Sequence, residues 1–221
     1  MSELRPGVLR LVCITPGDRS PSSTLALVKS GLAGGVSAVL LRERAVAPEL
    51  LLSLAHDLSI LCREAGALLL VSNDIDLAEA CEADGVHLGY GGPDVAAARR
   101  QAPRCLVGRS AHWPLTSEDR AADFVTLSPC AATPHSLPRS LLTAEQLSKA
   151  AADPELGPVV ALGGLDAETV RGLPANVEGV AVIRALSQAA DATLAAQELL
   201  RALDSRADCP DSSPSQEAPA R

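Results

Sequence analysis

A chain of 221 residues that is 47% hydrophobic is long enough to bury one sizeable core, and with aromatics at 1% that core must be built from Ala, Val, Leu and Ile. A formal net charge of −8 and the shortage of aromatic rings exclude the two usual routes to nucleic acid, a basic field and a base-stacking platform. No apolar run reaches the ~20 residues of a membrane span, the polar start carries no secretory leader, and six scattered cysteines without a Cys-x-x-Cys pair read as small buried hydrophobes, so the expectation is a soluble cytoplasmic protein.

Taken in order, the chain alternates short apolar runs with helical stretches. Residues 9–14 read as a strand that stops at Thr15-Pro-Gly-Asp18, and 22–32 as a helix closed by Gly34-Gly35. Residues 37–41 form the second strand, and 48–65 a helix with Pro48 at its first position and Gly66 as its stop. The third strand is 67–71, followed by Ser72-Asn73-Asp74 and a helix over 75–83. Strand four (85–88) precedes a helix over 93–101, strand five (105–108) one over 117–122, and strand six (124–127) one over 143–152. Strand seven (159–162) runs into Gly163-Gly164, with Asp166 capping a helix over 167–173, and strand eight is 179–183. Eight strand-helix units in this length predict an α/β fold, a single (β/α)8 TIM barrel over residues 1–203, with a doubly wound open sheet as the alternative. Residues 204–221, rich in Ser, Pro, Asp and Ala, are expected to be a disordered tail.

A barrel of this kind carries its chemistry just past the strand ends, on one face. There the chain places Asp18, Arg42 and Arg44, Asn73 and Asp74, Tyr90, Arg109 with Ser110 and His112, Thr133 and His135, Gly163 and Gly164, and Arg184. The strand, Gly-Gly and helix N-terminus arrangement at Gly163-Gly164 offers backbone N–H groups to a phosphate, or is a plain tight turn. The arginines match phosphate oxygens, or are salt-bridged around a barrel rim. Asn73-Asp74 is either an oxygen-ligand pair for a hard cation or an N-cap pair for the next helix. His87, inside a strand, reads as structural, whereas His112 and His135 lie in loops where an imidazole can move a proton near neutral pH.

Five segments in register resemble the thiamine-phosphate synthase and TenI family: Asn73-Asp74-Ile-Asp-Leu-Ala78, Ala83-Asp-Gly-Val-His-Leu-Gly89, Gly108-Arg-Ser-Ala-His112, Pro158-Val-Val-Ala-Leu-Gly-Gly164 and Gly179-Val-Ala-Val-Ile183. The resemblance implies a TIM barrel that binds a thiazole phosphate and, in the synthases, also hydroxymethylpyrimidine diphosphate with Mg2+. It implies Arg42, Arg44, Asn73, Arg109, Ser110, Thr133, Gly163, Gly164 and Ile183 as substrate-binding residues and Asp74 as the Mg2+ ligand if the chain is a synthase; the strand-end arginine Arg184 joins the substrate-binding set and the loop histidines His112 and His135 are the catalytic candidates, each from its position in this chain.

The departures from the synthase pattern are specific. Its Gln-x-Arg-x-Lys after strand two is Leu40-Leu-Arg42-Glu-Arg44 here, so Leu40 cannot hydrogen-bond a pyrimidine. The turn that supplies a second metal-binding Asp is Gly89-Tyr90-Gly91-Gly92, with Asp94 two residues on as the substitute. The diphosphate-binding Lys of the strand-six loop is Ser136, and the Ser after strand eight is Arg184. TenI proteins use the same barrel without the diphosphate half-site, yet the His that their tautomerases place at the start of the strand-six loop is Pro129 here. The reading is a TenI-like protein that binds a thiazole phosphate, a thiazole tautomerase with no required cofactor. The alternatives are a synthase that joins the two substrates with release of diphosphate, and a non-catalytic regulatory binding protein. The expected partners are the phosphorylated thiazole, the pyrimidine diphosphate in the synthase case, and a second copy in a homodimer, with no nucleic acid and no membrane.

Overall fold

The structure is a computed structural model, and it describes residues 4–5, 7–43, 46–89, 91–132 and 140–206. Strands β1 (Leu11–Ile14), β2 (Ala38–Leu41), β3 (Leu68–Ser72), β4 (Gly85–Leu88), β5 (Leu106–Ala111), β6 (Phe124–Leu127), β7 (Val159–Leu162) and β8 (Gly179–Val182) pair in sequence order into a closed parallel barrel. The closing ladder sets Leu11 against Val180 and Cys13 against Val182, which rules out the open sheet.

Both faces of each strand are buried because alternate residues point inward and outward. Val12, Ile14, Ala38, Leu40, Leu70, Phe124, Val160 and Ala181 fill the interior. Leu11, Val39, Val71, Val86, Val125 and Val180 face the surrounding helices, where they meet Val28, Leu54, Leu58, Val170 and Leu199. Phe124, the single phenylalanine, fits because a Cβ at Gly108 would lie 2.2 Å from its ring.

The helices are α1 (Pro21–Ala33), α2 (Pro48–Ala65), α3 (Ile75–Ala80), α4 (Val95–Gln101), α5 (Ser117–Arg120), α6 (Ala144–Ala151), α7 (Ala167–Arg171), α8 (Arg184–Ser187) and α9 (Ala192–Asp204). Pro48 opens α2 and Gly66 closes it in the left-handed conformation at φ 68°, as its sequence predicts. Side chains of Ser20, Asp74, Asp94, Thr116, Thr143, Asp166 and Asp191 accept the free N–H groups at their helix starts. None of the described helices is long and apolar enough to cross a membrane.

Three differences from expectation go beyond a residue or two at an element's end. β5 continues to Ala111 because Arg109, Ser110 and Ala111 pair with Val125, Thr126 and Leu127, so Arg109 and Ser110 lie within the strand. A short helix, α8, follows β8 directly. Asp204 ends α9 rather than starting a tail, and Arg206 still donates to the carbonyls of Pro174 and Val177, at 3.1 and 2.8 Å; residues 207–221 lie outside the described residues.

The N-terminal end of the barrel is closed by one repeated device. The residue just before an even strand reaches back to an N–H at the start of the preceding odd strand, that of the first residue in β1 and of the second in β3 and β5. Ser37 Oγ accepts from Leu11 N at 3.0 Å, Asp84 Oδ2 from Leu69 N at 2.8 Å, and Asp123 Oδ2 from Val107 N at 2.7 Å.

Candidate active site

At the opposite, C-terminal end, β7 stops at two glycines with φ of 103° and 69°. Gly163 and Gly164 are required twice over. Their φ values disfavour side chains, and a Cβ on Gly164 would sit 2.7 Å from the Ala131 carbonyl oxygen. Cys130 N donates to Leu162 O at 3.0 Å and Ala131 N to Gly163 O at 2.8 Å, so the turn is strapped to the loop after β6. Beside it, α8 begins at Ile183 with no side-chain cap. Among the described residues no acceptor takes the N–H groups of Gly163, Gly164, Ile183 or Arg184. Unclaimed N–H groups at a glycine turn and at a helix start favour an anion. Arg19, from the loop after β1, donates to Ser187 O at the far end of α8. Arg19 belongs to no motif in the sequence, and the one sequence signal for α8 is the brief segment between β8 and the Asp191 cap.

Across the mouth, Arg42 N donates to the buried Thr15 Oγ1 at 2.8 Å, and a Cβ on Gly17 would lie 3.0 Å from the Arg42 carbonyl oxygen. A cavity of about 230 Å³ opens there, lined in part by Arg42, Glu43, Ser72, Asn73 and Asp74. Thr24 Oγ1 on α1 donates to Glu43 Oε1 at 3.4 Å, while Glu43 Oε2 is buried with no partner among the described residues. Leu40 points into the barrel among Ile14 and Leu70, giving this side of the floor an apolar surface.

Asn73 and Asp74 serve the scaffold with part of their polar groups. Asn73 adopts φ 60°, and its Oδ1 accepts the Gly89 N–H at 2.6 Å, bracing the turn after β4. Asp74 Oδ1 caps α3 through Leu77 N at 2.9 Å, and among the described residues Oδ2 accepts no hydrogen bond. The expected substitute ligand, Asp94, is exposed and caps α4 through Ala97 N at 2.5 Å. Among the described residues no group of three or more His, Cys, Asp or Glu side chains is placed to hold a metal ion. The donor set therefore fits Mg2+ only through Asp74, with the remaining oxygens supplied by water or by a phosphorylated ligand.

Beneath the mouth, His87 Nε2 and Thr126 Oγ1 are 3.0 Å apart in the interior, and the ring packs against Phe124. Burial lowers the His87 pKa to about 4, so the ring is neutral at physiological pH. Ser110 lies opposite Thr126 in the ladder. His112, exposed just past β5, has Nδ1 2.8 Å from the Ser128 carbonyl oxygen. A carbonyl only accepts, so in the neutral ring the proton sits on Nδ1 and Nε2 keeps its lone pair.

Arg109 does not reach the mouth. On β5 it falls on the outward parity, where Nε meets Asp119 Oδ1 and Nη2 meets Glu118 Oε2, both at 2.9 Å. Asp119 is buried and also accepts from Thr116 N, while Glu118 Oε1 accepts from Val95 N at the start of α4. Arg109 thus joins β5, α5 and α4, which corrects its expected role in substrate binding. Arg44, Tyr90, Thr133, His135 and Ser136 lie outside the described residues. The structure brings together Arg42, Asn73 and Asp74 on one side of the mouth and Gly163, Gly164, Ile183 and Arg184 on the other.

This is a closed (β/α)8 barrel whose open polar groups gather at the C-terminal mouth. Residues 11–186 match the family model described as thiamine monophosphate synthase, and the chain belongs to that family. It is 34% identical over 195 residues to the thiamine-phosphate synthase of Methylobacillus flagellatus, covering 84% of this chain and 91% of that protein. The Nostoc sp. thiamine-phosphate synthase is 35% identical over 195 residues, 84% of this chain but 54% of that protein, so the chain spans about half the length of some relatives it matches. Among solved structures, thiamine phosphate pyrophosphorylase from Pyrococcus furiosus superposes with a TM-score of 0.75 at 27% identity, covering 90% of this chain and 96% of that one.

Proposed function

We propose that this protein is a thiamine-phosphate synthase, which joins hydroxymethylpyrimidine diphosphate to a thiazole phosphate and releases diphosphate. The observation that carries the reading is the set of N–H groups at Gly163, Gly164, Ile183 and Arg184 that find no acceptor among the described residues, at the mouth of a barrel whose relatives are thiamine-phosphate synthases. In this reading those groups hold the phosphate of the thiazole. Its ring nitrogen then faces the methylene carbon that loses diphosphate, and a C–N bond forms as the C–O bond breaks. Arg42 brings positive charge to the opposite rim, and Asp74 Oδ2 is the carboxylate oxygen left for Mg2+. When bound, Mg2+ neutralises charge on the departing diphosphate. His87 and Thr126 keep a neutral polar pair beneath the ligands.

The second reading, a thiazole tautomerase, is favoured by the His112 Nε2 lone pair and by the apolar Leu40. There His112 moves one proton on the thiazole ring while the same N–H groups hold its phosphate, with no diphosphate involved. A product assay separates the two: purified protein, both substrates and Mg2+, scored for thiamine phosphate. Formation of thiamine phosphate at enzymatic rates supports the synthase. Its absence from a protein that still binds thiazole phosphate moves the assignment to the tautomerase.

A further inference from the structure

We infer that the outer face of α2 is a self-association surface, on which a second copy of this chain docks its own α2 in the antiparallel direction. The inference is independent of which reaction the mouth performs. α2 is 18 residues long and buries one side against the barrel through Leu54, Ala55, Leu58, Ser59 and Cys62. Its opposite side carries two large apolar residues in the open, Ile60 at 52% exposure and Leu52 at 37%. With Glu49, His56 and Arg63, which are also exposed, they fall on one stripe within about 80° of the helix circumference.

The order of residues along that stripe decides the occupant. Glu49, Leu52, His56, Ile60 and Arg63 follow one another in steps of three, four, four and three residues, so the stripe has the same spacing in both directions about His56. Turning a second copy end to end about His56 sets Glu49 opposite Arg63 at both ends and Leu52 opposite Ile60. His56 then meets its own copy, where an imidazole has a donor and an acceptor nitrogen to offer. Opposite charges thus flank two apolar pairs, the self-complementary pattern of a two-fold interface. A parallel pairing sets Glu49 on Glu49 and Arg63 on Arg63, and pairing through the other exposed edge sets Asp57 and Glu64 against carboxylates. Arg63 already reaches Glu82 Oε2 at 3.4 Å and Ser59 Oγ at 3.5 Å, but the ion pair is exposed and contributes little, so the guanidinium can bridge to a second carboxylate. A strip of about 27 Å by about 10 Å is well below the ~800 Å² that each partner of a standard interface buries, so the dimer is weak, with a Kd on the order of tens of micromolar.

Sedimentation equilibrium of the full chain, from about 1 to about 500 μM, tests this without reference to turnover. A monomer–dimer equilibrium is expected. Ile60→Glu should weaken it about tenfold or more while melting with wild type, because the side chain it replaces is exposed. Glu49→Arg and Arg63→Glu, each alone, place like charges at both ends of the interface and should weaken it about tenfold. The two together exchange the charges and should restore the wild-type Kd to within about threefold. A chain that stays monomeric up to about 500 μM, or that grows past a dimer, would overturn the inference. So would association untouched by Ile60→Glu, which moves the contact to another face, or a double variant as weak as its two parents. If Ile60→Glu fails to fold, the charge exchange decides the question on its own.

Discussion

The two ends of this barrel use the same kinds of group for opposite purposes. At the N-terminal end polar atoms are paired with one another: Ser37, Asp84 and Asp123 take the N–H groups of Leu11, Leu69 and Val107 at the starts of β1, β3 and β5, Arg99 is bound to Asp123, and Arg10 to Asp204. At the C-terminal end the N–H groups of Gly163, Gly164, Ile183 and Arg184 find no acceptor among the described residues, and the backbone there adopts conformations that only glycine accepts readily. Paired groups stabilise the fold, and groups left open serve a ligand. The difference teaches that a polar residue near a barrel strand has to be assigned by which end, and which side of the sheet, its atoms reach.

The largest expected effect sharpens this contrast from the interior. His87 is neutral when folded, with its pKa lowered to about 4 by burial, whereas in the unfolded chain it titrates near the ordinary imidazole value of 6.5. The unfolded state takes up the proton first, so stability is full above that window and falls by on the order of 3 kcal/mol as pH drops through it. Denaturant melts of wild type and His87→Gln over this range check it, with the variant losing the slope. Next, Arg109→Ala leaves the buried Asp119 without its cation and should cost about 2 kcal/mol with KM unchanged. A raised KM at unchanged stability would return Arg109 to the binding site. Asp123→Ala removes the acceptor for Val107 N and the partner of Arg99, a loss of about 2 kcal/mol in thermal or urea unfolding with kinetics intact. Gly164→Ala should do the reverse. Its Cβ displaces the turn, and KM for thiazole phosphate rises about tenfold, equivalent to about 1.4 kcal/mol. The smallest effect is that of the exposed Asp84: Asp84→Ala should lower stability by about 1 kcal/mol and leave KM where it was.

Most of the architecture was legible because each strand is a short apolar run and most helices begin at a Ser, Thr or Asp. Residues such as Val159 to Ala161, buried on the inner and outer faces alike, have no other physical reading that also fits the eightfold alternation. The Gly163-Gly164 turn was legible too, since glycine pairs at a strand end mark backbone that side chains would block. Arg109 was misplaced because the end of β5 was set at Gly108. Pairing with β6 extends it, and strand parity then turns Arg109 away from the mouth. The role of Asn73 in closing the next turn depends on a left-handed conformation that no pattern of neighbours announces. Arg19 and α8 meet only through the closed barrel, from opposite ends of the chain.

The most direct measurement is a titration of the 15N-labelled protein with thiazole phosphate, following backbone amide signals by NMR. The account predicts that the amides of Gly163, Gly164, Ile183 and Arg184 shift most, with Val107 and Leu69 at the far end unmoved. Shifts confined to the N-terminal end or the outer helices, with these four amides unchanged, would contradict it.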